Sequence, residues 1–192
     1  MSKSKKLFES IQNNPPISLE DFINNTVIGD LGIMVETPQL KYLSFFVMSS
    51  VIEFLGACLD IDDFNKKGKS GARFKKAINE LESLKEYREL NRNEIDLYAE
   101  LRCGLLHAGI PQSHIELTER KDKNCGKMHL KPCTLKYRKT NPRWILVCED
   151  LYCDIRNAAK EVITKMKADQ EGKYKDAKMP FLATDTSIAG TP

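Results

Sequence analysis

The sequence predicts a mainly α fold, a helical bundle with a small antiparallel β insertion before its last helix. Two observations carry this. Apolar residues recur at helical spacing in several stretches, and between about 113 and 147 that spacing gives way to alternation before the helical repeat returns.

In chain order, Ser18 stands where a helix cap belongs, with Asp21 at the reciprocal position usually held by Glu or Gln. Thr37 followed by Pro38 reads as a second cap with proline at the first helical position. Leu40, Leu43, Val47, Val51, Phe54 and Cys58 then mark a helix over 38–60. The polar stretch 62–71 is a loop. Its Gly68-Lys69-Ser70 triplet lacks the first glycine and the preceding strand of a phosphate-binding loop. Phe74, Ala77 or Ile78, Leu81 and Leu84 mark the next helix, and a further one covers 93–107, stopped by Gly109 and Pro111. Alternation then predicts short strands at 114–119, 128–131 and 134–138, with a turn at 121–126 and one more strand at 144–147. Leu151, Ile155, Ala158 or Ala159, Val162 and Met166 give a long final helix over 150–168. The domain spans 18–169, between a flexible N-terminus, 1–17, and a flexible tail, 170–192, with no internal repeat.

The 41 % hydrophobic content suffices for one core. Six cysteines accompany a polar, basic start with no apolar run beside it, which predicts reduced thiols in a cytoplasmic protein. Residues 42–59 form an apolar run of membrane-spanning length, but it contains Ser44, Ser49, Ser50 and Glu53. A carboxylate at mid-bilayer is costly, so a buried helix and no membrane are expected. Net charge is +3, unevenly placed: 120–143 holds nine Lys or Arg against one acid, Asp122, enough to attract phosphates or simply a solvated loop. Cys125, His129 and Cys133 are evenly spaced but form no Cys-x2-Cys knuckle, and alternating strands would scatter them, so neither metal nor cofactor is expected. Cys58, Cys103 and Cys153 read as small core residues, and His114 and His129 as structural or surface residues.

On the 93–107 helix at about 100° per residue, Ile95, Tyr98, Ala99, Leu101, Leu105 and Leu106 make an apolar arc with Arg102 near its middle. A guanidinium there must reach solvent, stack on an aromatic ring or meet a carboxylate. Ser49, Glu53, Gly56 and Asp60 share one stripe of the long apolar helix, so Glu53 is the predicted partner, with Tyr98 a second supporting residue. The pair is either a structural tie between helices or part of a site. His107 lies in the last turn, where terminal carbonyls favour a cationic side chain. It is either a C-terminal cap or a proton carrier.

The segment Leu97-Tyr-Ala-Glu-Leu-Arg-Cys-Gly-Leu-Leu-His-Ala-Gly, with its Arg102-x4-His107 spacing, resembles the terminal helix motif of the HEPN superfamily. Ser50-Val-Ile-Glu-Phe-Leu-Gly resembles that family's long helix with an embedded acid, and the resemblance covers roughly 38–112. Active members often carry a polar residue directly after the arginine, where this chain has Cys103. The resemblance implies a metal-independent endoribonuclease of the toxin, defence or RNA-processing kind. It would be a homodimer in which Arg102 and His107 cut RNA by attack of the 2′-hydroxyl, and a cognate inhibitor protein is possible. Arg120, Lys121, Lys136, Arg138, Lys139 and Arg143 would then bind the RNA backbone. Tyr137 or Trp144 is available for stacking, unless Trp144 is a core or sheet residue. The alternatives are a non-catalytic, HEPN-like dimeric module that binds a nucleotide or partner, and a regulatory scaffold acting through the insertion.

Overall fold

A computed structural model describes residues 18–92, 95–133 and 143–169. The two ends expected to be flexible and the strand expected at 134–138 lie outside the described residues.

Helix α1, Leu19–Phe22, starts at Ser18, whose Oγ accepts the Asp21 amide at 3.0 Å. The Asp21 carboxylate takes the Ser18 hydroxyl at 2.6 Å, a variation on the expected reciprocal bond. The helical path continues through a π-wound stretch, Ile23–Asp30, into α2, Leu31–Glu36. Leu19, Ile23, Val27, Leu31 and Val35 recur every four residues and are all buried, a repeat that the sequence reading passed over.

A 3₁₀ turn, Pro38–Leu40, leads into α3, Lys41–Cys58. Thr37 does not cap it: its hydroxyl donates to the Ile33 carbonyl at 2.7 Å and closes the preceding helix. Phe45, Met48, Ile52 and Leu55 bury one face of α3, while Tyr42, Leu43 and Val47 stay exposed. The hydroxyls of Ser44, Ser49 and Ser50 donate to carbonyls of the preceding turn, so each polar side chain is satisfied within its own helix. The stretch Pro38–Cys58 is long and apolar enough to cross a membrane, with mean hydropathy 1.4, and half of it is buried against the rest of the protein.

Helix α4, Ser70–Glu80, crosses α3 at Gly56. A Cβ there would lie 1.8 Å from the Arg73 carbonyl oxygen, so this backbone contact requires glycine. Arg73 is 5 % exposed. Its Nε donates to Asp60 Oδ2 at 3.1 Å, and its terminal nitrogens donate to the carbonyls of Phe64, Asp62 and Asp63. One guanidinium thus folds the 60–64 loop around itself. Burial alone would push the Asp60 carboxyl up, but hydrogen bonds from Arg73 and the Asp62 amide, with the charges of Arg73 and Lys69, hold it below its usual value.

Beyond α4 come a 3₁₀ turn, Glu82–Leu84, and α5, Lys85–Arg92, a helix not expected from the sequence. Glu161 of the last helix, α6, Cys148–Ala168, accepts the Glu82 and Ser83 amides at 2.8 Å each. A carboxylate distant in sequence therefore supplies the cap for this turn.

The insertion contains β1, Ile115–Thr118, β2, Pro132–Cys133, and β3, Arg143–Val147, in the order β1-β3-β2. β1 runs parallel to β3, with Ile115 opposite Trp144 and Thr118 opposite Val147, and β2 runs antiparallel to it. The sheet is therefore mixed, where an antiparallel one was expected. Alternation reports which face a side chain takes and says nothing of strand direction, and the long connection from β1 to β3 permits a parallel return. The strand expected at 128–131 is replaced by turns, since Leu130 adopts φ +56 and breaks the pleat.

The helices and parts of β1 and β3 share one core, which includes Phe74, Tyr87, Leu101 and Ile155. Ile145, Val147 and Cys125 form a small second cluster under the insertion. Gly56→Ala is expected to cost about 1–3 kcal/mol through the forced separation of α3 and α4, read as a lower urea midpoint at unchanged slope. Asp60→Asn is expected to destabilise at pH 7. Because the folded carboxyl titrates below its unfolded value, its contribution is complete above the ordinary carboxylate range and fades as pH falls through the folded value. Urea midpoints of wild type and variant should therefore converge between pH 7 and pH 3.

Candidate active site on the π-wound helix

The helix expected over 93–107 is a π-helix, Tyr98–Ala108, preceded by Leu97. Asp96 Oδ1 accepts the amides of Tyr98 and Ala99 at 3.1 and 3.3 Å and so caps its start. At the other end, Gly109 takes φ +75 and its amide bonds back to Leu105 at 3.0 Å, the left-handed stop that glycine permits. Tyr42 of α3 donates its phenol proton to the Gly109 carbonyl at 2.7 Å, holding this end against the bundle.

The winding changes the relation of Arg102 to His107. In an α-helix, five residues at about 100° each would set them roughly 140° apart. A π-helix closes its hydrogen bonds over i→i+5 and turns less per residue, which brings a side chain and its fifth neighbour toward one side. Of the expected apolar arc, Ile95, Leu101 and Leu105 are buried, whereas Leu106 is exposed and Leu97 is buried in addition.

Arg102 and Glu53 meet as the α3 stripe predicted, with Nε 2.8 Å from Glu53 Oε2. The two side chains are 18 % and 20 % exposed. The guanidinium carbon lies 5.6 Å from the centre of the Tyr98 ring, which is packed edge-on against Phe74. Burial pushes the Tyr98 phenol up, and neighbouring Cys103 adds to this while Arg102 opposes it. Only Nε is used by Glu53. Both Nη groups are without a protein partner among the described residues, as is Glu53 Oε1. Glu53 and Arg102 both line a hollow of about 220 Å³, together with Ser50, Phe54, Ala57, Phe64 and Arg73. His107 is exposed, with no side-chain partner among the described residues. The exposed apolar residues Leu106 and Ile110 flank it in the chain, and the Tyr42–Gly109 bond connects this edge to exposed Leu43 and Val47.

The basic segment is partly committed to internal pairs. Arg120 bonds to Asp150, and Arg143 Nη1 donates to Glu116 at 2.9 Å. Lys121 is exposed, whereas Lys136, Arg138, Lys139 and Tyr137 lie outside the described residues. Trp144 sits in β3 and packs against the core.

Cys125 and Cys133 approach to 4.0 Å between sulfurs, and burial pushes the Cys125 thiol up to about 11. Among the described residues, no group of three or more His, Cys, Asp or Glu is placed to hold a metal. His129 is held inside a network: its Nδ1 accepts the Val147 amide at 3.0 Å, so its Nε2, 3.0 Å from Tyr87 Oη, carries the proton. Tyr87 in turn donates to Asp154 at 2.9 Å. His114 pairs with Glu100 at 2.8 Å. Arg73 and the Tyr87–His129–Asp154 network escaped the sequence reading. The signal for Arg73 was its place one turn before Ala77 on an apolar face, whereas the network joins three distant segments and has no local signal.

No protein-family model, curated protein or solved structure matches this chain. The arrangement offers an arginine oriented through Nε, its Nη groups unpartnered among the described residues, on the same helix as an exposed imidazole, and these two groups are suited to an anionic ligand and to carrying a proton. A double-mutant cycle of Glu53→Gln and Arg102→Gln, read by urea unfolding, is expected to give a coupling of about 0.5–3 kcal/mol.

Proposed function

We propose that this chain is a metal-independent endoribonuclease of HEPN type that acts on RNA as a homodimer in the cytoplasm. The observation that carries the reading is Arg102 held through Nε alone, its Nη groups unpartnered among the described residues, on the π-wound helix whose last turn carries the exposed His107. This eases the conflict between a paired and a working arginine. Glu53 sets the direction of the guanidinium, and the remaining N–H bonds are left to a phosphate.

In the proposed reaction the ribose 2′-oxygen attacks the adjacent phosphorus and the bond to the 5′-oxygen breaks. The imidazole of His107 moves a proton from the 2′-hydroxyl or to the leaving oxygen, and Arg102 stabilises the charge gathering on the phosphate. The products are a 2′,3′-cyclic phosphate and a free 5′-hydroxyl, and DNA is left intact because it lacks the nucleophile. The exposed apolar residues Tyr42, Leu43, Val47, Leu106 and Ile110 support a second copy docking beside His107. Lys121 and the residues outside the described set, Lys136, Arg138 and Lys139, remain the candidates to guide RNA, more so than the paired Arg120 and Arg143. A toxin or defence role with a cognate inhibitor belongs to the same reading.

The ion pair itself favours a second reading, a non-catalytic dimeric module in which Arg102 ties two helices and the site only binds. The two separate on His107. In RNA cleavage assays with chelator present, His107→Ala is expected to lower the rate by about 10²–10⁴ with an unchanged melting temperature, and Arg102→Ala to lower both. Equal cleavage by wild type and both variants would remove the catalytic reading.

A further inference from the structure

Beside Arg102 lies a hollow that the proposed reaction does not use, and its chemistry is specific. At about 220 Å³ it is smaller than the roughly 300–1,000 Å³ of pockets for drug-sized ligands. A single flat ring system suits it better. Phe54, Ala57 and Phe64 supply apolar wall, with the Phe54 and Phe64 rings stacked 5.9 Å apart. Arg73 lines it too, but all three of its guanidinium nitrogens already donate to protein oxygens. The Ser50 hydroxyl is taken by the Phe46 carbonyl. Among the described residues, the polar groups left for a ligand are thus the Glu53 carboxylate, with Oε1 unpartnered, and the Nη fork of Arg102.

An acceptor pair next to a donor fork describes the complement of one nucleobase edge. Guanine presents two neighbouring N–H donors, N1 and N2, with the O6 acceptor beside them. Adenine has no carbonyl, and cytosine and uracil have no two adjacent donors. Unstacked bases in single-stranded RNA are read in this way, by apolar contact on the ring and hydrogen bonds along the Watson–Crick edge. We propose that the hollow between α3 and the π-wound helix is a guanine-selective nucleotide subsite. Glu53 accepts N1–H and N2–H, and Arg102 donates to O6. This rests on the proposed ribonuclease reading for its biological meaning, since it would place the cut beside guanosine, but binding tests it independently.

The test is calorimetric titration of the full chain with guanosine, adenosine, cytidine and uridine 3′-monophosphates, and with inorganic phosphate. The guanosine nucleotide is expected to bind at least about tenfold more tightly than the other three. Glu53→Gln should remove that preference. Ser50→Leu, which adds bulk to the wall of the hollow while leaving Glu53 and Arg102 unreplaced, should remove it too while circular dichroism and melting stay as in wild type. Equal affinities for all four nucleotides and phosphate, or no binding of any nucleotide, overturn the subsite. Sequencing of RNA cleavage ends separates the two readings. Base-independent cleavage with equal nucleotide affinities sinks the guanine subsite and leaves the nuclease. Selective guanosine binding without RNA cleavage sinks the nuclease and leaves the subsite.

Discussion

Arg73 is almost wholly buried, and a guanidinium stays in such a place only where its protons are accepted. Here Asp60 and the carbonyls of Asp62, Phe64 and Asp63 do this, and the same residue's own carbonyl presses on Gly56. The contact fixes where α4 crosses α3 and how the loop between them closes. The position of Glu53, less than one turn before Gly56 on α3, is set by that crossing.

The candidate site follows from this placement. Glu53 belongs to a stripe that runs along α3 through Ser49 and Gly56 and on to Asp60 just past its end, and these three are each used inward, by a hydrogen bond to the helix's own backbone, a backbone contact or an ion pair. Glu53 reaches the π-wound helix and holds Arg102 there. A single charge-assisted hydrogen bond at Nε is enough to orient a planar group without saturating it. At the rim, Gly109 ends the helix and Tyr42 anchors the turn, so His107 is exposed on a tethered segment.

Much of this was legible in the sequence. The apolar repeats of α3, α4 and α6 point to their helices because burial of one face imposes a 3.6-residue period on the chain itself. The Glu53–Arg102 pair followed from a charge placed within an apolar arc, which demands a partner, and from a carboxylate flanked by apolar residues in the middle of the facing stripe. What escaped had no such local signature. The run Leu19 to Val35 repeats every four residues, but its π-wound centre holds Asn24, Asn25, Thr26 and Gly29, poor helix formers that weaken the local signal. The parallel pairing of β1 with β3 depends on how a long connection returns, which alternation cannot encode.

The sequence by itself determined the helical class, the existence of the insertion and the need of Arg102 for an acid, because each is set by which side chains water rejects or an apolar face cannot hold unpaired. Only the tertiary structure decided the strand directions, the glycine-dependent crossing at Gly56, the network around His129 and the pairing of Glu53 with Nε of Arg102. Those depend on distances between segments far apart in the chain, and the π winding of Tyr98–Ala108 is a change of helical period that apolar spacing does not report.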